Sequence, residues 1–215
     1  MNRIAFFGGT FDPVHNGHLK IGRTLIKFFG LDRFYFLPAF HAPHKADRNP
    51  TPAYRRFAML SIATEDDSNI LVSTHELDRG ESRYTVDTIP ELAAEFPGSR
   101  LFFVMGADSW MDIQTWRRWE DLLLMTNHIV VARPGFDIDF SHVTEKARER
   151  IKDIRGMKIA PDERGDESSI YITDAVHFDT SSTLLRDDLS DGDLERDGDI
   201  PVEVAKYIEK YELYR

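Results

Sequence analysis

The sequence predicts an α/β domain, a parallel sheet flanked by helices on both faces, and three observations carry that prediction. Short apolar runs alternate with helical patterns along most of the chain, the pattern of strands joined by crossover helices. Several of those runs lack polar alternation, so their strands are expected to be covered on both sides. The first run also passes into a glycine-rich turn and then a helix, the place where an open parallel sheet binds its ligand.

Six runs have strand length and composition: 4–7, 34–37, 70–72, 101–105, 128–132 and 170–173. The first helix follows strand one, with Leu19, Gly22, Leu25, Ile26 and Phe29 at helical spacing and Gly30 as its C-cap. Segments 53–63, 84–95 and 115–125 read as helices too, and Pro97 and Gly98 stop the one over 84–95. Segment 141–154 is charged and weakly periodic, which predicts an exposed helix, followed by a loop over 160–169. Pro201 opens a last helix as its N1 residue, with Val204, Ala205 and Ile208 on one face. Before it, seven acids between 187 and 199 are interleaved with glycines. They lack the closing bidentate Glu of a calcium loop and read as a solvated connector. No repeat or linker divides the chain, so one domain is expected over 1–215.

Composition narrows the function. The chain has 215 residues, 41% hydrophobic and 12% aromatic, with 15 Phe, enough apolar mass for a packed core. Lys and Arg number 27 against 37 Asp and Glu, a net charge of −10. That balance argues against nucleic-acid or anionic-membrane partners, and any anionic substrate must meet a local basic pocket. The absence of cysteine excludes disulfides, thiolate nucleophiles, iron–sulfur clusters and cysteine zinc sites. The longest runs without a charged residue, 34–44 and 122–132, are 11 residues each, against roughly 20 for a bilayer span. The apolar stretch at the N-terminus is too short for a signal peptide, so a cytoplasmic protein is expected. A homo-oligomer stays open.

The chemistry concentrates in Gly8-Gly9-Thr10-Phe11-Asp12-Pro13-Val14-His15-Asn16-Gly17-His18. Paired glycines let a phosphate approach the backbone, and the amides opening the next helix favour negative charge. The turn is neither a dinucleotide fingerprint nor a P-loop, because both glycine spacings are missing. In their place stand His15 and His18 around Gly17. Each imidazole can donate to a phosphate oxygen. Such a pair could also be half a metal site, but zinc proteases carry theirs inside a helix with an adjacent Glu.

This turn resembles the signature of the nucleotidyltransferases with the H-x-G-H motif, a superfamily of adenylyl- and cytidylyltransferases. Its second signature, I-S-S-T-x-x-R, is matched by Thr180-Ser181-Ser182-Thr183-Leu184-Leu185-Arg186, with Thr180 in place of Ile. Alone, the hydroxyl cluster would be a helix N-cap; with the first motif it reads as a triphosphate clamp. Features along the whole chain are similar to the bacterial nicotinate-nucleotide adenylyltransferases. His41-Ala42-Pro43-His44-Lys45 resembles their P-P-H-K loop, Tyr84-Thr85-Val86-Asp87-Thr88 their Y-T-x-x-T element and Gly106-Ala107-Asp108-Ser109 their G-x-D-S turn. Trp116 and Arg133-Pro134-Gly135 follow in order. Many members carry an aromatic residue where this chain has Arg117.

The resemblance implies adenylyl transfer from ATP, accompanied by Mg²⁺, to nicotinate mononucleotide, giving deamido-NAD and pyrophosphate. The acceptor phosphate is already an anion, so direct in-line attack needs no side-chain nucleophile. His15, His18 and Arg186 take the catalytic roles. Gly8, Gly9, Thr10, Phe11, Gly106, Asp108, Arg133, Ser181, Ser182 and Thr183 join His18 and Arg186 in holding ATP. His44 and Lys45 close over the phosphates, with the 41–52 loop expected to move. Tyr84, Thr85, Val86, Trp116 and Arg117 receive the nicotinate ring and its carboxylate. Without the resemblance, Trp116 is a helix residue packed on the core and Asp108 an ordinary N-cap. Rival readings are a transferase with another acceptor, a non-catalytic nucleotide sensor, and a hydrolase, for which no carboxylate pair is visible.

Overall fold

The computed structural model describes residues 1–41, 50–132, 138–161, 168–176, 182–190 and 199–214. In chain order the strands are β1 (Arg3–Gly9), β2 (Arg33–Pro38), β3 (Ile70–Val72), β4 (Arg100–Gly106), β5 (Asn127–Val131), β6 (Ile151–Asp153) and β7 (Ile170–Thr173). The helices are α1 (Asn16–Phe29), α2 (Ala53–Ala63), α3 (His75–Asp78), α4 (Thr85–Glu95), α5 (Ala107–Met111), α6 (Trp119–Met125), α7 (Glu145–Arg148), α8 (Ser182–Ser190) and α9 (Val202–Lys210).

Among the described residues seven strands form one sheet in the order β3-β2-β1-β4-β5-β7-β6, and every pair is parallel. The chain lays down β1, β2 and β3 in one direction and then returns to place β4 on the other side of β1. The carboxyl ends of β1 and β4 therefore flank the switch point, the place where open parallel sheets bind ligands. This is the Rossmann-like arrangement.

Strand alternation divides the apolar residues into two cores. Ala5, Phe7, Phe34, Phe36, Phe102 and Val104 face α1, α2 and α9, whose Leu25, Leu60 and Ile208 meet them. Ile4, Phe6, Phe103 and Met105 face the opposite way, toward Leu92 of α4, Trp110 of α5 and Leu123 of α6. Helix α1 ends where expected: Gly30 takes a left-handed φ of 59° and donates its N–H to the Ile26 carbonyl, a conformation that costs glycine nothing.

Four sequence expectations need correction. Segment 141–154 is not an exposed helix but a single turn, α7, followed by the edge strand β6. Its charges face solvent on an edge strand, which blurs the two-residue period. Segment 115–125 is helical only from Trp119; a 3₁₀ turn over Ile113–Thr115 precedes it, and Trp116 is extended with φ −81° and ψ 141°. Pro201 is the N-cap of α9 rather than its first helical residue. The short helices α3 and α5 carry too few residues to show a period and were not expected. No helix of the described residues is long and apolar enough to cross a membrane.

Candidate active site

At the carboxyl end of β1 the chain turns sharply. Phe11 adopts a φ of 52°, and the Asp12–Pro13 peptide is cis. A left-handed φ on a bulky residue is strained and needs packing to hold it. That packing is an aromatic box: the Phe11 ring makes edge contacts with Phe7 at 5.4 Å, Phe36 at 5.2 Å and His18 at 5.0 Å. The ring also covers Gly9, where a Cβ would lie 2.8 Å from it. Gly9 thus has a structural reason for lacking a side chain, besides any ligand.

The turn delivers the two histidines to the start of α1. His15 is the N-cap, extended at φ −140° and ψ 168°, and is 2% exposed. Its backbone N–H donates to His18 Nδ1 at 3.2 Å. The two rings lie 3.7 Å apart, 31° from parallel. Because Nδ1 of His18 is an acceptor, the neutral ring carries its proton on Nε2. Burial, and secondarily the neighbouring His15, hold the His18 pKa well below its ordinary value. His18 is therefore a neutral donor at physiological pH.

The second signature packs directly onto this turn. Ser182 opens α8 and donates from Oγ to the Pro13 carbonyl at 3.0 Å. One turn later Arg186 donates from Nη1 to the Asp12 carbonyl at 2.5 Å and from Nη2 to Thr183 Oγ1 at 3.2 Å. Two motifs separated by about 170 residues become one constellation, and the guanidinium retains further N–H donors for an anion. Ser181, Arg133, His44 and Lys45 lie outside the described residues.

Gly106 ends β4 and is the N-cap of α5; Asp108 lies in the first turn, exposed. Asp108 is therefore not the cap. Its Oδ1 would sit 2.6 Å from a Cβ at Gly106, so its carboxylate folds back over the end of β4, beside the switch point. Tyr84 caps α4, and the Thr85 and Val86 amides open that helix, where helix geometry supplies no internal acceptor. Trp116 is half-buried, its ring edge-on to Phe103 at 6.3 Å. Arg117 is mostly exposed, 3.7 Å from Asp87 and 4.9 Å above the Tyr84 ring. These residues gather at one rim.

A family model described as cytidylyltransferase-like matches residues 6–188. A relative in Neisseria meningitidis, described as a probable nicotinate-nucleotide adenylyltransferase, is 36% identical over 100% of this chain and 99% of its own length. One of the same description in Clostridium kluyveri is 34% identical over 100% of both chains. The chain belongs to the cytidylyltransferase-like family, among the nicotinate-nucleotide adenylyltransferases. Its fold is shared with the Plasmodium falciparum nicotinic acid mononucleotide adenylyltransferase complexed with NaAD. That match has a TM-score of 0.72 at 20% identity, covering 100% of this chain and 98% of that one. The same enzyme complexed with APC matches at a TM-score of 0.73, 21% identity and the same coverage.

Sequence reasoning missed the buried charged and polar residues Arg56, Glu76 and His128. Arg56 of α2 is fully buried and donates to the carbonyls of Thr10, Ala39, Phe40 and Thr51, at 2.7, 2.7, 3.0 and 2.8 Å. It joins the turn after β1 to the segment after β2. An arginine on the same helix face as Met59 and Leu60 was the available signal. Glu76 of α3 is also buried, 3.3 Å from the Thr88 hydroxyl, and burial pushes its pKa up to about 7. In β5 His128 is fully buried with Nε2 on the Leu122 carbonyl, and burial pulls its pKa down to about 4.

Proposed function

We propose that the chain transfers the adenylyl group of MgATP to the 5′-phosphate of nicotinate mononucleotide, giving deamido-NAD and pyrophosphate. The observation that carries this reading is the docking of Ser182 and Arg186 onto the Pro13 and Asp12 carbonyls beside the paired histidines. It joins a cation, hydroxyls and two imidazoles, with His18 as a neutral donor, at the switch point of the sheet. Such a set binds a triphosphate and steadies the charge that develops as pyrophosphate leaves.

Attack is direct and in line, without a covalent intermediate. The acceptor phosphate oxygen forms the new bond to the α-phosphorus as the bond to pyrophosphate breaks. His18, donating from Nε2, contacts the α-phosphate at the reacting end, and His15 orients it. Ser182, Thr183 and Arg186 hold the leaving group, with Ser181, His44, Lys45 and Arg133 assigned to the nucleotide by the family resemblance. Gly8, Gly9, Thr10, Phe11, Gly106 and Asp108 line the nucleotide side. Among the described residues no group of three His, Asp or Glu side chains is arranged to hold a metal. Mg²⁺ accompanies the nucleotide as part of the substrate.

At the other end the nicotinate ring lies against Trp116, and its carboxylate accepts from the Thr85 and Val86 amides at the positive end of α4. Arg117, anchored between Asp87 and Tyr84, favours the acid over the amide. Pyrophosphate release with MgATP, offering nicotinate mononucleotide and nicotinamide mononucleotide at equal concentration, tests the substrate assignment. Turnover with the acid and little with the amide supports it, whereas turnover with neither discards the acceptor. Inversion of configuration at a chiral α-phosphorothioate of ATP is the outcome expected of direct attack; retention would require a covalent intermediate.

A further inference from the structure

Asp12 lies in the middle of the first motif, yet it contributes nothing directly to either substrate in the reading above. It is 5% exposed, and both carboxylate oxygens are engaged. Oδ2 accepts from the Thr51 N–H at 3.2 Å, and Oδ1 accepts from the Tyr214 hydroxyl at 2.6 Å. Its carbonyl is the acceptor for Arg186. Asp12 thus links the proposed triphosphate cation to a tyrosine 202 residues later in the chain.

Tyr214 belongs to a segment that grips the motif twice. At its start the Asp199 carbonyl accepts from the Asn16 N–H at 2.7 Å, between the two histidines. At its end the backbone of Tyr214 turns back with a φ of 68° and inserts the ring beneath the 10–13 turn. Between these grips α9 buries Val204 and Ile208. Arg55, next to Arg56, donates to the Tyr207 hydroxyl at 3.0 Å and lies 4.0 Å over the Tyr211 ring. Segment 199–214 is therefore a strap, fixed to the histidine turn at both ends and to α2 in between.

We propose that this strap positions the site for the nucleotide, with Tyr214 as the positioning residue that fixes the 10–13 turn and, through Asp12, Arg186. The proposal rests on the reading of the site as one that binds MgATP. The physical argument is that Phe11 already holds a strained φ of 52°. A turn under strain relaxes when one anchor is lost. Removing the hydroxyl leaves a buried carboxylate oxygen without its donor, which drives the carboxylate to reorient. Arg186 is bonded to the same residue and moves with it. Burial and the adjacent Asp12 carboxylate push the Tyr214 pKa up, so the hydroxyl remains a donor throughout the physiological range.

The test compares the full-length wild type with Tyr214→Phe, which keeps the ring. Calorimetric titration with MgATP, without acceptor, is expected to show about tenfold weaker binding in the variant. Nicotinate mononucleotide affinity, set by α4 and Trp116, is expected to stay within twofold. Asp12→Asn reads the same link from the other side, because it replaces one of the two acceptor oxygens that serve the Thr51 N–H and the Tyr214 hydroxyl by an NH2 donor, and the same nucleotide-selective loss is expected. A purely structural role would lower the melting temperature and the active fraction without shifting either dissociation constant. Unchanged MgATP affinity in both variants, or equal loss for both ligands, overturns the proposal. Lack of deamido-NAD synthesis by the wild type would sink the proposed reaction instead, and MgATP binding would still report on the strap.

Discussion

Replacing Arg56 with Met removes a fully buried cation that donates four hydrogen bonds to carbonyls of three segments. Hydrogen bonds from a charged donor contribute about 1.5–3 kcal/mol each, so four give a gross of roughly 6–12 kcal/mol. Against this stands the cost of keeping the guanidinium out of water, several kcal/mol. That cost is visible as a lowered Arg56 pKa, driven by burial and partly offset by Asp12. The net expected loss is about 3–5 kcal/mol, in line with removing one partner of a buried charged network. It is a large share of the ~5–15 kcal/mol that holds a typical domain together. Met matches the length of the stem, so little of the loss comes from a cavity. Lys restores the charge but has a single nitrogen, and is expected to recover less than half. Urea unfolding followed by tryptophan fluorescence measures the difference. A loss below about 1 kcal/mol for Arg56→Met would refute the reasoning, because the four carbonyls would then be served as well by water.

Three further outcomes are expected. His18→Ala should lower kcat about 10²–10³-fold, the range for removing one preorganised donor, with a smaller change in KM; comparable losses in both would assign His18 to binding alone. Arg117→Ala should reduce the acid-to-amide preference by up to about fivefold, as suits an exposed charge, and an unchanged ratio of kcat/KM would leave discrimination to the Thr85 and Val86 amides. Glu76 carries a pKa raised by burial to about 7, so the folded state holds its proton between about pH 4.5 and 7 while the unfolded chain has lost it. Stability therefore falls as pH rises through that window, by up to about 3 kcal/mol. Glu76→Gln should be more stable than the wild type at pH 8 and equal to it near pH 4; parallel unfolding curves at both pH values would contradict that assignment.

The sequence by itself determined the alternation of strand and helix and the glycine-rich turn that ends β1. Apolar runs of four or five residues and a glycine-rich turn are local features, and local sterics and burial fix what they become. It also determined the family, because the first signature and the hydroxyl cluster at 180–186 are contiguous strings. Helix boundaries around Trp116 and the edge strand β6 were not legible. One depends on how Trp116, just after a 3₁₀ turn, packs against Phe103, and the other has no second buried face to impose a period.

Tertiary structure alone decided what supports the turn. Arg56 reads in sequence as one of two adjacent arginines on a helix, and only the convergence of Thr10, Ala39, Phe40 and Thr51 makes it a clip. Tyr214 shows nothing in sequence that points 202 residues back to Asp12. Hydrogen bonds between distant segments depend on where the sheet order brings chain ends together. No local propensity encodes that order; it follows from burying both faces of one parallel sheet at once.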